Sequence, residues 1–317
     1  MTSEVRRRVP RPDRALPCAA WLLASAAFAQ SAPPPVAPAD STIVGQVVVQ
    51  GRSPQGRETF EKAVTRFLHD MGRPGPIGQV SRWDQQVCPI AAGLTEAMDR
   101  FVNDRIRRTA ARVGAPGSGD CGKGANVMVV FTTRPDQLMA DVRRRHEGML
   151  GYHYVGETRS LAEFQPPMKS WYVTRTTIAG GDFATLDQAY APAPPQGGSR
   201  IPPPLESQFV FVLVVVDANL LEGQAIGPVA DRIAMLALSR PAPHDGCSAL
   251  PSVMDLLEPG CTSNGGAEGL TSYDEAYLKA LYAYKGSEIR YFERRSMART
   301  IISQTSVAPP APPVRRP

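Results

Sequence analysis

The apolar positions of this chain fall into a few readable patterns. Residues Gln208 to Val216 include the unbroken run Phe-Val-Phe-Val-Leu-Val-Val-Val. A run of that length without polar alternation predicts a central strand covered on both faces, and hence a sheet layered with helices. Asn126–Phe131 and Ser170–Ile178 predict two further strands. The β-branched stretch Ile43–Val49 predicts a first strand, and Arg82-Trp83 opens another that reaches Cys88.

Helical spacing recurs between these runs. Phe60, Val64, Phe67 and Met71 share one face of a helix over Arg57–Met71. Leu94, Met98, Phe101, Val102 and Ile106 form the apolar side of a helix over Leu94–Val113, with Arg105, Arg107, Arg108 and Arg112 on its surface. Thr133 is placed to cap a helix that has Pro135 in its first turn. Pro228–Leu238 predicts an amphipathic helix whose inner stripe is Ile226, Val229, Ala230, Ile233, Leu236 and Ala237. Thr271 and Asp274 make a capping box for a helix carrying Leu278 and Leu281, and Ser287–Ile302 predicts a last helix. These elements predict an α+β fold: a twisted mixed sheet of about five strands packed by several helices, in one domain over residues 43–302. A mobile Pro/Gly-rich loop is expected at 180–204, and a disordered Pro-rich tail at 303–317.

Charge and cysteine usage place the chain in a compartment. Residues 1–29 hold five arginines ahead of an apolar stretch from Ala15 to Phe28, closed by Ala27-Phe28-Ala29. This is the pattern of a secretory signal cleaved after Ala29. Its apolar stretch is shorter than the roughly 20 residues that span a bilayer, so no stable transmembrane segment is expected after cleavage. Residues 30–42 form a Pro-rich linker. The formal charge of the whole chain is +5, but only +2 remains beyond residue 29. That balance lacks the concentrated basic face of a nucleic-acid binder. The mature chain keeps four cysteines, Cys88, Cys121, Cys247 and Cys261, an even count that suggests two disulfides in an oxidising compartment. Three pairings are possible, and Cys88–Cys121 with Cys247–Cys261 is favoured because each pair brackets one local unit. The location expected is periplasmic or secreted.

Candidate chemistry centres on the segment from Pro228 to Tyr284. Its helix ends Met235-Leu-Ala-Leu238, and Pro251-Ser-Val-Met254 and Leu270-Thr-Ser-Tyr-Asp274, leading to Leu281-Tyr282, follow in order. The helix ending resembles the end of the metzincin helix H-E-x-x-H-x-L-G-L. The Met254 segment resembles the turn that sets a methionine under the metal, and the last segment is similar to the closing helix of matrixin-type members. From about Gly45 onward the chain also resembles a family of exported bacterial proteins related to that frame.

The resemblance implies a metzincin-like frame, yet the ligand positions depart from it. Ala230, Asp231 and Ala234 stand where His, Glu and His are needed, and Arg240 stands at the third histidine. Alanine has no lone pair and arginine has no acceptor. No zinc or other cofactor is expected here. The same residues also read as a buried helix with alanines at close contacts. The function expected is that of an exported, non-catalytic envelope protein using this frame for binding, with an envelope protein or polysaccharide as partner. The alternative is a hydrolase with a relocated site beside residues 225–239, drawing on Asp231, Glu222 or His244.

Other candidates carry less. His146 and His153 lie two helical turns apart, about 10.5 Å, too far to share one ion. Gly117–Gly122 is explained by its cysteine, and Arg143–Arg145 reads as a solvated helix face. Trp83, Trp171 and Tyr172 are expected in the core rather than in a sugar-stacking surface.

Overall fold

In the computed structural model the residues described run from 54 to 305, apart from 76, 118–120, 122–123, 155, 179–204, 243–245, 259, 262–268 and 285–289. The signal segment, the linker, the strand expected at Ile43–Val49, the 180–204 loop, His244 and the tail beyond Thr305 lie outside them.

The chain order is α1 (Pro54–Met71), β1 (Pro89–Ala92), α2 (Glu96–Val113), β2 (Val127–Thr132), α3 (Pro135–Arg145), the one-turn α4 (Thr158–Leu161), β3 (Met168–Ile178), β4 (Leu205–Asp217), α5 (Ile226–Leu238), α6 (Ser272–Ala283) and α7 (Arg290–Thr305). The strands make one mixed sheet in the order β1-β2-β4-β3. β1, β2 and β4 run parallel, and β3 lies antiparallel along the far side of β4. The α+β class is as expected; the described residues contain four strands rather than five.

β4 explains the layering. Val212, Val214 and Val216 face a large core that also holds Phe67, Ile106, Ile233, Leu278 and Ile301, from α1, α2, α5, α6 and α7. Leu213 and Val215 face a smaller core with Met139, Val142, Leu150 and Trp171. A strand with both faces covered cannot alternate in polarity, which is why its sequence is apolar without a break.

Three local expectations shift. The segment from Arg82 to Cys88 is not a strand, because Arg82 makes only a single parallel bridge to Gln208 and the ladder begins at Pro89. Trp83 instead turns its buried indole to the Ala237 carbonyl, 2.8 Å away. In α2 the buried side lies further along than expected: Val102, Ile106, Thr109, Ala110 and Val113 are inside, whereas Met98 is 44% exposed. The first turn of α2 therefore carries its apolar side chain outward. Thr133 is not the cap of α3: Arg134 holds the N-cap position without a side-chain cap bond, and Pro135 opens the helix as expected. α2 itself starts under Thr95, whose side chain accepts from the Met98 amide, and ends at Gly114 in the left-handed region.

Between β1 and α2 the chain needs Gly93. Its φ is +112°, and a Cβ there would sit 2.0 Å from the Phe131 carbonyl oxygen of β2. The two disulfides join Cys88 to Cys121 and Cys247 to Cys261, the pairing favoured from the sequence. No described helix is long and apolar enough to cross a membrane.

Candidate functional site

α5 leaves the C-terminal end of β4 after the turn at Ala218–Leu221 and packs on the large face of the sheet and against α2. An amphipathic helix would leave one side to water. Here every residue from Val229 to Leu238 is buried, polar ones included. Ala230 and Ala234 have no exposed surface at all. The two positions that would need to present imidazoles to a cleft are sealed methyl groups.

Asp231 lies between them in sequence and is also fully buried. It is gripped by Arg105 of α2 through two parallel bonds: Nε to Oδ1 at 2.6 Å and Nη2 to Oδ2 at 2.5 Å. The Leu270 amide adds a longer bond to Oδ2, 3.4 Å. Gly269 makes room for this, since a Cβ on it would meet Oδ2 at 2.7 Å. The bond to Asp231 is the largest influence on Arg105, whose pKa is raised. A carboxylate held on both oxygens by a guanidinium fork has lost the geometry of a general base and keeps that of a cross-link between α2, α5 and the start of α6.

The C-terminal end of α5 is buried as well, so its last carbonyls need donors. Ser239 supplies Met235 from both its amide and its hydroxyl. The Tyr172 hydroxyl donates to Leu236 at 2.9 Å, the Trp83 indole to Ala237 at 2.8 Å, and the Tyr282 hydroxyl to Leu238 at 2.7 Å. Four consecutive carbonyls are thus satisfied by side chains drawn from the segment before β1, from β3, from α6 and from the helix's own cap. Burial pushes the Tyr172 and Tyr282 hydroxyls well above the ordinary phenol range, so both remain donors. Trp83 and Trp171 are 2% and 3% exposed, which places both in the core, as the sequence predicts.

The Pro251–Met254 segment forms a single tight turn packed against α5, with Met254 buried. Asp274 holds it. One oxygen accepts from the Ser252 hydroxyl at 2.6 Å, and the other from the Val253 amide at 2.8 Å. The second oxygen also completes the capping box with Thr271. Burial raises the Asp274 pKa against the opposing pull of the Ser252 hydroxyl, the Val253 amide and the amide and hydroxyl of Thr271. One carboxylate therefore ties the methionine turn to the first turn of α6, which neither segment's local sequence reveals.

Arg240 follows the helix and is half-buried, its guanidinium 5.8 Å from the centre of the Tyr172 ring. Its carbonyl accepts from the Arg73 amide at 2.7 Å. Burial lowers its pKa, and the neighbouring Arg73 charge lowers it further.

The structure thus gathers Ala230, Asp231, Ala234, Arg240 and Met254 around one helix and its exit. It does not bring Glu222 to them, since that residue is exposed on the loop before α5. His153 is tied to Glu147 at 2.8 Å and to the Gly151 carbonyl at 2.7 Å, away from this helix, with its pKa raised mainly by Glu147. Among the described residues no group of three or more His, Cys, Asp or Glu side chains could hold a metal ion. Arg105, Arg73 and Tyr172 belong to the site and have no signal in the local sequence. Arg105 stands on α2 among arginines that the helical spacing places on the surface. No family model matches the chain, and neither a curated protein nor a solved structure is detectably similar to it.

Proposed function

We propose that this is an exported, non-catalytic protein of the cell envelope in which a peptidase-like frame lacking its zinc ligands serves binding. The observation that carries the reading is Asp231: the one acid left at the degenerate site is committed on both oxygens to Arg105. The sealed alanines on either side support it. So does the link through Asp274, which holds the methionine turn and the closing helix around α5 as a frame would require. Two disulfides and the lack of a membrane-spanning helix among the described residues fit an extracellular protein. The cleaved signal after Ala29 and a partner in the envelope, protein or polysaccharide, belong to the same proposal.

Elemental analysis and a proteolysis assay test it together. The mature chain, purified and then incubated with zinc, is expected to hold well under one zinc per chain after dialysis and to leave an unfolded substrate uncut. One tightly held zinc that is lost when residues 230–240 are substituted would overturn the proposal.

A further inference from the structure

Arg73 and Arg240 lie side by side at the exit of α5, and among the described residues neither has a carboxylate partner. The Arg73 amide is bonded to the Arg240 carbonyl at 2.7 Å, so the chain after α1 and the chain after α5 run side by side. The Ala242 amide bonded to the Asp70 carbonyl, at 2.8 Å, continues the seam. Arg240 is half-buried with its guanidinium over Tyr172, and Arg73 is exposed beside it. Neither guanidinium makes an ion pair or a hydrogen bond with any described residue. Asp70, the acid on the seam, faces His69 instead, at 3.7 Å. A third arginine, Arg294 of α7, donates to the Gly72 carbonyl, one residue before Arg73, at 3.3 Å.

Three other half-buried or buried arginines around this core each have an acid. Arg105 has Asp231, Arg232 has Glu258 and Arg82 has Glu206. Partly burying a cation beside another cation is unfavourable unless something negative completes it. The contact with the Tyr172 ring, 5.8 Å from the guanidinium carbon to the ring centre, leaves the donors of Arg240 unused. Two guanidinium forks with free donors fit the paired oxygens of a carboxylate or a phosphate.

We propose that Arg240 and Arg73 form a binding seat for an oxyanion, the carboxylate or phosphate group of a small ligand or a partner. The seat lies where the third metal ligand of a peptidase frame would stand, so it gives the binding role a ligand chemistry. It rests on the preceding reading for its role and on the arginine geometry alone for its existence. Tyr172 positions Arg240 and has no free hydroxyl for the ligand, because that hydroxyl is committed to Leu236.

Calorimetric titration of the mature chain with inorganic phosphate, and separately with acetate, tests this at constant ionic strength set by sodium chloride. Saturable one-site binding of either anion is expected, and which of them binds identifies the source as phosphate or carboxylate. Arg73→Gln and Arg240→Gln are each expected to weaken it by about tenfold or more, the loss of a charge-assisted pair of bonds. Arg107→Gln, on the exposed side of α2, is expected to leave it unchanged. Arg73 is exposed, so R73Q decides the matter even where R240Q fails to fold. Absence of saturable binding of both anions, or wild-type binding by R73Q, overturns the proposal. Stoichiometric zinc together with intact anion binding would instead sink the non-catalytic reading and leave the seat standing.

Discussion

Asp231 and Glu293 are both carboxylates without exposed surface, and the molecule treats them in opposite ways. Asp231 receives a two-pronged guanidinium and a backbone amide. Glu293, in the first turn of α7, receives one bond, from the Val80 amide at 3.2 Å, while its other oxygen accepts none. The closest cation, Arg82, stands 4.0 Å from that oxygen and is occupied with Glu206. Burial therefore wins at Glu293 and pushes its pKa from 4.5 to about 7, against the smaller pull of Val80, Arg82 and Arg294. The lesson is that burial alone does not fix the state of an acid; the number and distance of its donors do. Asp231 is a cross-link between helices. Glu293 changes charge near neutrality.

Breaking the better-partnered acid is expected to have the largest effect. Asp231→Ala should destabilise the fold by about 3–5 kcal/mol, the usual result of removing one partner of a buried pair. The side chain of Arg105 is 32% exposed and can regain some water, which favours the lower end of that range. Urea unfolding at neutral pH measures it, and a loss well below 1 kcal/mol would mean that the cross-link is dispensable.

Glu293 gives the next effect, and its sign follows from proton binding. A carboxyl whose folded pKa is raised holds a proton that the unfolded chain releases between pH 4.5 and about 7. Its contribution to stability is therefore fully present below that window, lost as pH rises through it, and flat above. A shift of this size corresponds to a change on the order of 3 kcal/mol. Glu293→Gln keeps an acceptor for Val80 and removes the titration. Relative to the wild type, E293Q should be about equal in stability at pH 4 and more stable at pH 8. Equal pH profiles for the two proteins would contradict the comparison. The smallest effect is a shift in pH: Arg82→Met removes the distant cation and should move the Glu293 transition to higher pH in the same measurements, on top of a uniform loss of stability from leaving Glu206 without its partner.

These two acids also mark the limit of what was legible in the sequence. The apolar run of β4, the Thr271–Asp274 capping box, the helical faces of α1 and α6 and the disulfide pairing all carry local signatures, and all are found. The partners of Asp231 and Glu293 lie 126 and 213 residues away, where no periodicity or spacing can point to them. The complete burial of α5 was hidden for a related reason. Its sequence shows one apolar stripe, but α2, the methionine turn and the donors at its end enclose the other side as well. Arg82–Cys88 looked like a strand because aromatic and apolar residues in a strand and in an irregular buried segment obey the same preference for the interior.

The ring of donors around the end of α5 has a consequence for how the protein opens. Trp83, Tyr172 and Tyr282 stand 154, 64 and 44 residues from the carbonyls they satisfy. The last turn of that helix cannot fray by itself, since releasing it strands polar groups on three other parts of the chain. Amide protons there are expected to exchange with solvent only as the whole domain comes apart, so that their exchange rate would read the global free energy of unfolding rather than a local one.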